Sequence, residues 1–238
     1  MKNLKDQDSF KCPLCNGTGL VYNNENNRYK QCQCMIDIKV IKELQRTGLN
    51  TKALNKSFKE FIPWNDQVKN MKDIASNYYI RFDEIKNKEN NSLALLGESG
   101  VGKTHLLIAL IRNFITTKHL DICYMSYTDN MSELKQNMLN GDVYQKYMNR
   151  YKRSELLVID DLFKGNYTEA DIRIILEIIN HRYLNKLPFM LSSELFISDF
   201  IKIDKALGGR IAERTKGFVY EVRGTENNYR LKKVNNKN

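Results

Sequence analysis

The chain has 238 residues, 42% of them hydrophobic, and 38 Lys and Arg outweigh 28 Asp and Glu to give a formal net charge of +10, which suits one medium domain plus a small appendage. No apolar run approaches the roughly 18–20 residues a membrane helix needs, and Met1–Phe10 is polar and charged, so a membrane span and a secretory leader are excluded and a cytoplasmic protein is expected. The basic balance favours polyanionic partners, nucleic acid first, although abundant Lys and Asn also follow from A+T-rich coding.

The first feature along the chain is a set of four cysteines in two close pairs, Cys12-Pro-Leu-Cys15 and Cys32-Gln-Cys34. In a reducing compartment such clustering points to metal rather than disulfides. Tetrahedral Zn2+ takes four thiolates, and each tight turn supplies two. Gly17 and Gly19 let the backbone turn close to the first pair, and in an extended segment Cys32 and Cys34 face the same side. Tyr22–Asn27 reads as the tip of a hairpin between the pairs. A redox dithiol is the other reading, but the surrounding βαβ pattern is missing. Residues 1–35 are therefore expected to form a zinc module with too few apolar residues to fold without metal. The first half also matches the C-x-x-C-x-G-x-G unit of DnaJ-type chaperones, which carry it repeated. Cys123 stands apart in an apolar stretch.

Residues 36–65 read as a linker, with helical spacing of Ile38, Ile41 and Leu44 and then Phe58, Phe61 and Trp64, which either border a ligand or anchor the core. A helix is predicted over 66–86, with Val68, Met71, Ala75, Tyr79 and Phe82 on one face. From Leu93 onward apolar strands (92–96, 120–125, 155–159, 188–192, 217–222) alternate with helices (103–117, 129–150, 168–185, 204–214). That alternation predicts an α/β domain over 66–230 with a parallel five-stranded sheet covered on both faces. Residues 231–238 read as a disordered tail.

The first strand runs into Gly97-Glu98-Ser99-Gly100-Val101-Gly102-Lys103-Thr104, which fits G-x-x-x-x-G-K-[ST] between a strand and a helix. In such a loop backbone N–H groups and the helix N-terminus cradle phosphates. Lys103 reaches the β- and γ-phosphates of a nucleoside triphosphate, and the Thr104 hydroxyl holds Mg2+. The later strand Leu156–Ile159 ends in Asp160 and Asp161. Asp160 is the second Mg2+ contact, and Asp161 is placed to polarise an attacking water. A guanine-reading Asn-Lys-x-Asp is missing, since Asn185-Lys186 is followed by Leu187-Pro188.

Three stretches, Ile159–Asp171, Glu177–Tyr183 and Leu191-Ser-Ser-Glu194, resemble the DnaC/DnaI-type helicase loaders, AAA+ ATPases related to the initiator DnaA, and most of all the phage-associated members. The resemblance covers about 93–230. It implies an AAA+ P-loop ATPase without a C-terminal lid, ATP and Mg2+ as ligands, and Ser192–Glu194 at the sensor I position. Many relatives have Asn where Glu194 stands, and a carboxylate cannot donate to a γ-phosphate unless protonated. Glu194 then accepts from the water, or Ser193 takes the donor role. Gly208-Gly209-Arg210 matches the arginine-finger segment, which implies self-association with Arg210 on a neighbour's ATP. The resemblance further implies a hexameric replicative helicase as partner of the zinc module, and single-stranded DNA as ligand.

Tyr144, Lys146, Tyr147, Arg150, Tyr151, Lys152 and Arg153 interleave rings and cations, a pattern that serves either a single strand or a buried aromatic stripe with a solvated basic face. The leading expectation is ATP-dependent loading of a replicative helicase. A transposition adaptor of the IstB type and a non-hydrolysing ATP-binding scaffold are the alternatives.

Overall fold

The computed structural model describes residues 12–24, 27–32, 34–35 and 56–231. The expected linker helix at 36–45 and the expected tail from 232 lie outside the described residues.

The cysteine segment forms a small antiparallel hairpin, β1 (Leu20–Asn23) and β2 (Arg28–Gln31), with Leu20 opposite Gln31 and Asn23 opposite Arg28. Its turn falls where the Asn-rich stretch was read as a tip. Cys34 does not continue the strand. It starts a helical turn in which the Met35 amide donates to the Cys32 carbonyl at 3.0 Å, so turn geometry, not strand alternation, brings the second pair round.

The second part is a parallel sheet in the order β4-β5-β6-β3-β7. In chain order its elements are α1 (Asp66–Ile85), β3 (Leu93–Gly97), α2 (Lys103–Asn113), β4 (Ile122–Ser126), α3 (Tyr127–Gln136), α4 (Gly141–Arg153), β5 (Leu156–Asp160), α5 (Glu169–Leu184), β6 (Phe189–Ser193), α6 (Ile197–Ile203), α7 (Lys205–Arg214) and β7 (Val219–Val222). A π-helical turn, Phe114–Lys118, extends α2. Strand alternation sends Leu93, Leu95, Leu156, Val158 and Met190 to one face, against α1 and α2. The neighbouring Ala94, Leu96, Leu157, Ile159, Phe189 and Leu191 go to the other, against α3 to α7. Burial on both faces is why these strands read as continuous apolar runs.

Residues 56–65, read as linker, pack onto this domain. Phe61 is buried in its core, and Phe58 and Trp64 lie against it. The single helix expected over 129–150 is two. Asn137 turns its amide and side chain back onto the Glu133 carbonyl, and the Asn140 side chain accepts from the Val143 amide, so the two asparagines satisfy helix-end groups and the chain turns between them. The short α6 is also additional. Asp204 ends it and caps α7 by accepting from the Leu207 amide at 2.7 Å.

One buried cation ties three elements together. Arg182 of α5 is 0% exposed and donates to the carbonyls of Tyr151 (2.9 Å), Ser154 (3.0 Å) and Pro188 (2.6 Å). These lie at the end of α4, just before β5 and just before β6. Arg182→Met withdraws the donors to these carbonyls, to the Lys152 carbonyl and to Ser154 Oγ, at roughly 1–1.5 kcal/mol each, against relief of a charge-burial cost of roughly 5 kcal/mol, so a net loss of about 1–2 kcal/mol is expected. Thermal unfolding of the variant checks it, and an unchanged transition would make the guanidinium dispensable.

Candidate nucleotide site

Four strand ends and one helix start converge at the carboxyl edge of the sheet. β3 stops at Gly97, whose φ of +136° and closeness to β7 admit no side chain, since a Cβ there would lie 2.3 Å from the Val222 carbonyl oxygen. Gly102, at φ +97°, caps α2, and a Cβ there would strike the Phe61 ring at 2.5 Å. The loop is thus clamped between β7 and the aromatic segment 58–64, with the N-terminus of α2 aimed into a cleft of ≈ 320 Å³. Ser99, Gly100, Gly102, Lys103 and Thr104 line that cleft together with Asp161, Lys164 and Glu194. Val101 is buried beneath the loop.

The Lys103 ammonium is held by the carbonyls of Gly97 (2.5 Å) and Glu98 (2.8 Å). Burial pulls its pKa down to about 8 against the opposing pull of Asp161 and Glu194. Asp160, at the end of β5, accepts from Thr104 Oγ1 (3.0 Å) and Ser192 Oγ (2.5 Å) on one oxygen and from the Tyr124 hydroxyl (2.8 Å) on the other. A hydroxyl and a carboxylate in contact at a phosphate-binding loop are the hard oxygen donors Mg2+ takes, so the residues fit that ion. Burial, and then the neighbouring carboxylate of Asp160, push the Tyr124 phenol well above its ordinary range, which keeps it a neutral donor.

Asp161 has left-handed backbone (φ 57°), and its amide donates to Ser192 Oγ at 2.8 Å. Its carboxylate is paired with Lys164 Nζ at 2.6 Å, and Glu194 Oε1 lies 3.9 Å from the same ammonium. Ser193 is placed otherwise than its alternative donor role requires. It is fully buried, its hydroxyl donates to the Leu162 carbonyl at 2.6 Å, and it does not line the cleft. Phe58, Phe61 and Trp64 are core anchors rather than cleft walls. Lys56, His105, Tyr229 and Arg230 line that end instead, with Tyr229 against Trp64 at 4.9 Å between ring centroids.

Arg210 is not among the residues lining this cleft. It sits half-buried over the Tyr183 ring, 5.6 Å from the centroid. In the 144–153 stretch the rings turn inward. Tyr151 is 3% exposed, Tyr144 and Tyr147 pack on the core, and the Tyr147 hydroxyl donates to Glu133. Arg150 makes a two-pronged pair with Asp121, and Lys152 pairs with Glu177 at 2.5 Å. The alternation of rings and cations is therefore the amphipathy of α4, and its bulky residues are spent on packing; Lys146 and Arg153 remain exposed.

In the hairpin the four Sγ atoms of Cys12, Cys15, Cys32 and Cys34 all lie within 4.8 Å of one another. Cys12 and Cys32 Sγ are 3.7 Å apart, and Cys15 and Cys34 Sγ 3.5 Å. A tetrahedron with Zn–S bonds of about 2.3 Å has edges of about 3.8 Å, so the residues fit a zinc ion.

Lys164, Tyr124, Tyr229 and Arg230 escaped the reading of the sequence. Tyr124 reaches Asp160 only because β4 lies beside β5, a strand order that no local pattern announces. Lys164 had a signal, since it lies four residues past Asp160 in a strand-to-turn segment already read as catalytic.

A family model described as "IstB-like ATP binding protein" matches residues 42–237. Two proteins of Bacillus subtilis (strain 168) are similar. "Uncharacterized protein YqaM" is 35% identical over 202 residues, 82% of this chain and 64% of that protein. "Phage-like element PBSX protein XkdC" is 31% identical over 240 residues, 96% of this chain and 89% of that protein. Among solved structures, that of the DnaC helicase loader superposes with a TM-score of 0.58 at 22% identity, over 73% of this chain and 99% of that one. The expected likeness to DnaC/DnaI-type loaders is thus present in the fold.

Proposed function

The chain belongs to the IstB-like ATP-binding family, and from that premise we propose that it is an ATP-hydrolysing loader that places a hexameric replicative helicase on single-stranded DNA. The observation that carries this reading is the convergence of Lys103, Thr104 and Asp161 on one cleft in an AAA+ domain, with Asp160 hydrogen-bonded to Thr104 at its edge and a four-cysteine hairpin in the same chain. When bound, Mg2+ draws charge from the β- and γ-phosphate oxygens. Thr104 and Asp160 would hold it, while Lys103 turns from its two carbonyls to the phosphates and Asp161 orients the attacking water. Glu194 serves as a second acceptor near that water. Arg210, with its Nε buried and unpartnered, reaches a neighbouring subunit's γ-phosphate when copies assemble.

Residues 1–35 act as the zinc-dependent helicase-binding module and 66–230 as the motor, in the cytoplasm of a bacterial or phage-infected cell. The match to a phage-like element protein supports that setting. Lys146 and Arg153 are the cations of α4 left to follow a phosphate backbone.

Native mass spectrometry of the protein with its host's replicative helicase and ATP tests the reading. A complex of one helicase hexamer with several copies of this chain is expected, and it should be lost when residues 1–35 are removed. No complex, with zinc and ATP both bound, would favour the second reading, a transposition adaptor, which the description of the matched family supports.

A further inference from the structure

The turn after β5 is built at a cost. Asp161 and Phe163 both have left-handed backbone, at φ 57° and 56°. Each costs an L-residue on the order of 1–2 kcal/mol unless its surroundings enforce it. The surroundings here do. The Leu162 amide donates to the Ser192 carbonyl at 2.8 Å, the Lys164 amide closes onto the Asp161 carbonyl at 3.0 Å, and the Phe163 ring is buried against Tyr127 and Phe200. The result of the strain is that Lys164 and Asp161 both face the phosphate loop. Lys164 lines the cleft, with its ammonium 2.6 Å from Asp161 and 3.9 Å from Glu194.

Two problems of the site meet at this lysine. Position 194 carries a carboxylate, which cannot donate to a γ-phosphate, and Ser193 is turned away. Asp161, the carboxylate placed for the attacking water, is neutralised by an ion pair. We propose that Lys164 is the γ-phosphate contact of this site, and that it exchanges Asp161 for the terminal phosphoryl group when a nucleoside triphosphate binds. Glu194 keeps the ammonium at the cleft during the exchange. The γ-phosphate stands one phosphoryl group beyond the β-phosphate cradled by the loop and carries more charge than one carboxylate, so a triphosphate draws the ammonium off Asp161, whereas a diphosphate, whose terminal phosphate stays within the loop, leaves the pair closed. Asp161 is thereby released as a base only when the substrate is present. In the hydrolysis proposed above, the water oxygen bonds to the γ-phosphorus. The bond from that phosphorus to the β–γ bridging oxygen breaks, its electron pair stays on ADP, and the water proton passes to Asp161 and then to solvent.

The inference rests on the nucleotide reading of the cleft, and its test separates the two. Affinities for Mg-ADP and a non-hydrolysable Mg-ATP analogue are measured by competition with a fluorescent nucleotide, with phosphate release assayed separately. The wild type should prefer the triphosphate. Lys164→Met should lose at least tenfold in triphosphate affinity with ADP affinity held within twofold, and Lys164→Arg should restore most of the loss. Asp161→Asn frees the ammonium, so triphosphate affinity should rise severalfold while phosphate release falls. That variant tests the exchange even if the methionine variant folds poorly. A triphosphate preference intact in Lys164→Met overturns the proposal alone. No binding of either nucleotide by the wild type overturns the cleft reading and the proposal together.

Discussion

Lys103→Met is expected to weaken nucleotide binding on the order of 100-fold and to make the protein slightly more stable. Lys103 is 5% exposed, and burial is the leading cause of its depressed pKa, about 8 against the ordinary 10.5. At ~1.36 kcal/mol per unit, keeping it charged costs the fold roughly 3 kcal/mol at neutral pH. Methionine has a similar shape and no charge, but it leaves the Gly97 and Glu98 carbonyls without that donor, which costs about 2 kcal/mol at roughly 1 each. A net gain of roughly 1 kcal/mol remains, or about 2–4 °C in the unfolding midpoint of a domain this size. Below pH 8 both folded and unfolded lysine hold the proton, and the wild type bears the whole cost. Between pH 8 and about 10.4 the unfolded state binds more protons, so wild-type stability rises with pH and the gap to the variant closes. Loss of charge-assisted bonds to the phosphates should weaken ATP binding on the order of 100-fold, each such bond being worth ~1.5–3 kcal/mol. Calorimetric scans from pH 7 to 10 and a nucleotide titration check both halves. A variant less stable than wild type at pH 7 would mean that the two carbonyl contacts outweigh the burial cost.

The same lysine shows what was legible in the sequence and what was not. Its role follows from the phosphate-loop spacing because that chemistry depends on a contiguous stretch in which each position has one task. The sheet was legible for a similar reason, since strands buried on both faces need unbroken apolar runs such as Leu156–Ile159. Properties made by neighbours far along the chain were not legible. Tyr124 meets Asp160 across two adjacent strands, Ser193 turns its hydroxyl to the Leu162 carbonyl, and Tyr229 closes on Trp64, all through the order in which elements pack. The stretch from Tyr144 to Arg153 shows the opposite hazard. Rings and cations at helical spacing satisfy a nucleic-acid pattern and an amphipathic-helix pattern equally, and only the positions of Asp121, Glu133 and Glu177 show that α4 spends them on itself.

Removing zinc should unfold the hairpin and leave the nucleotide domain intact. Among the described residues, the buried cluster of the hairpin consists of Cys12, Cys15 and Cys32, with Val21 and Cys34 packed against it, while Leu14, Tyr22 and Tyr29 are exposed. So small an apolar interior cannot offset the ~1–2 kcal/mol of backbone entropy each ordered residue costs. Thiolate coordination can, at an apparent ~10–16 kcal/mol for a structural zinc site. Cys32→Ser removes the most buried sulfur, and a serine hydroxyl is a poor zinc ligand. The variant should therefore release its zinc at low chelator concentration, where the wild type retains about one ion per chain. Proteases should then cut between residues 12 and 35, while ATP affinity and the main unfolding transition stay within error of the wild type, because none of the hairpin's described residues lines the cleft. The double readout separates a structural ion from a catalytic one. If the variant kept its zinc, the four-sulfur site would be wrong; if ATP affinity fell with the metal, the hairpin would be part of the nucleotide site and not a separate module.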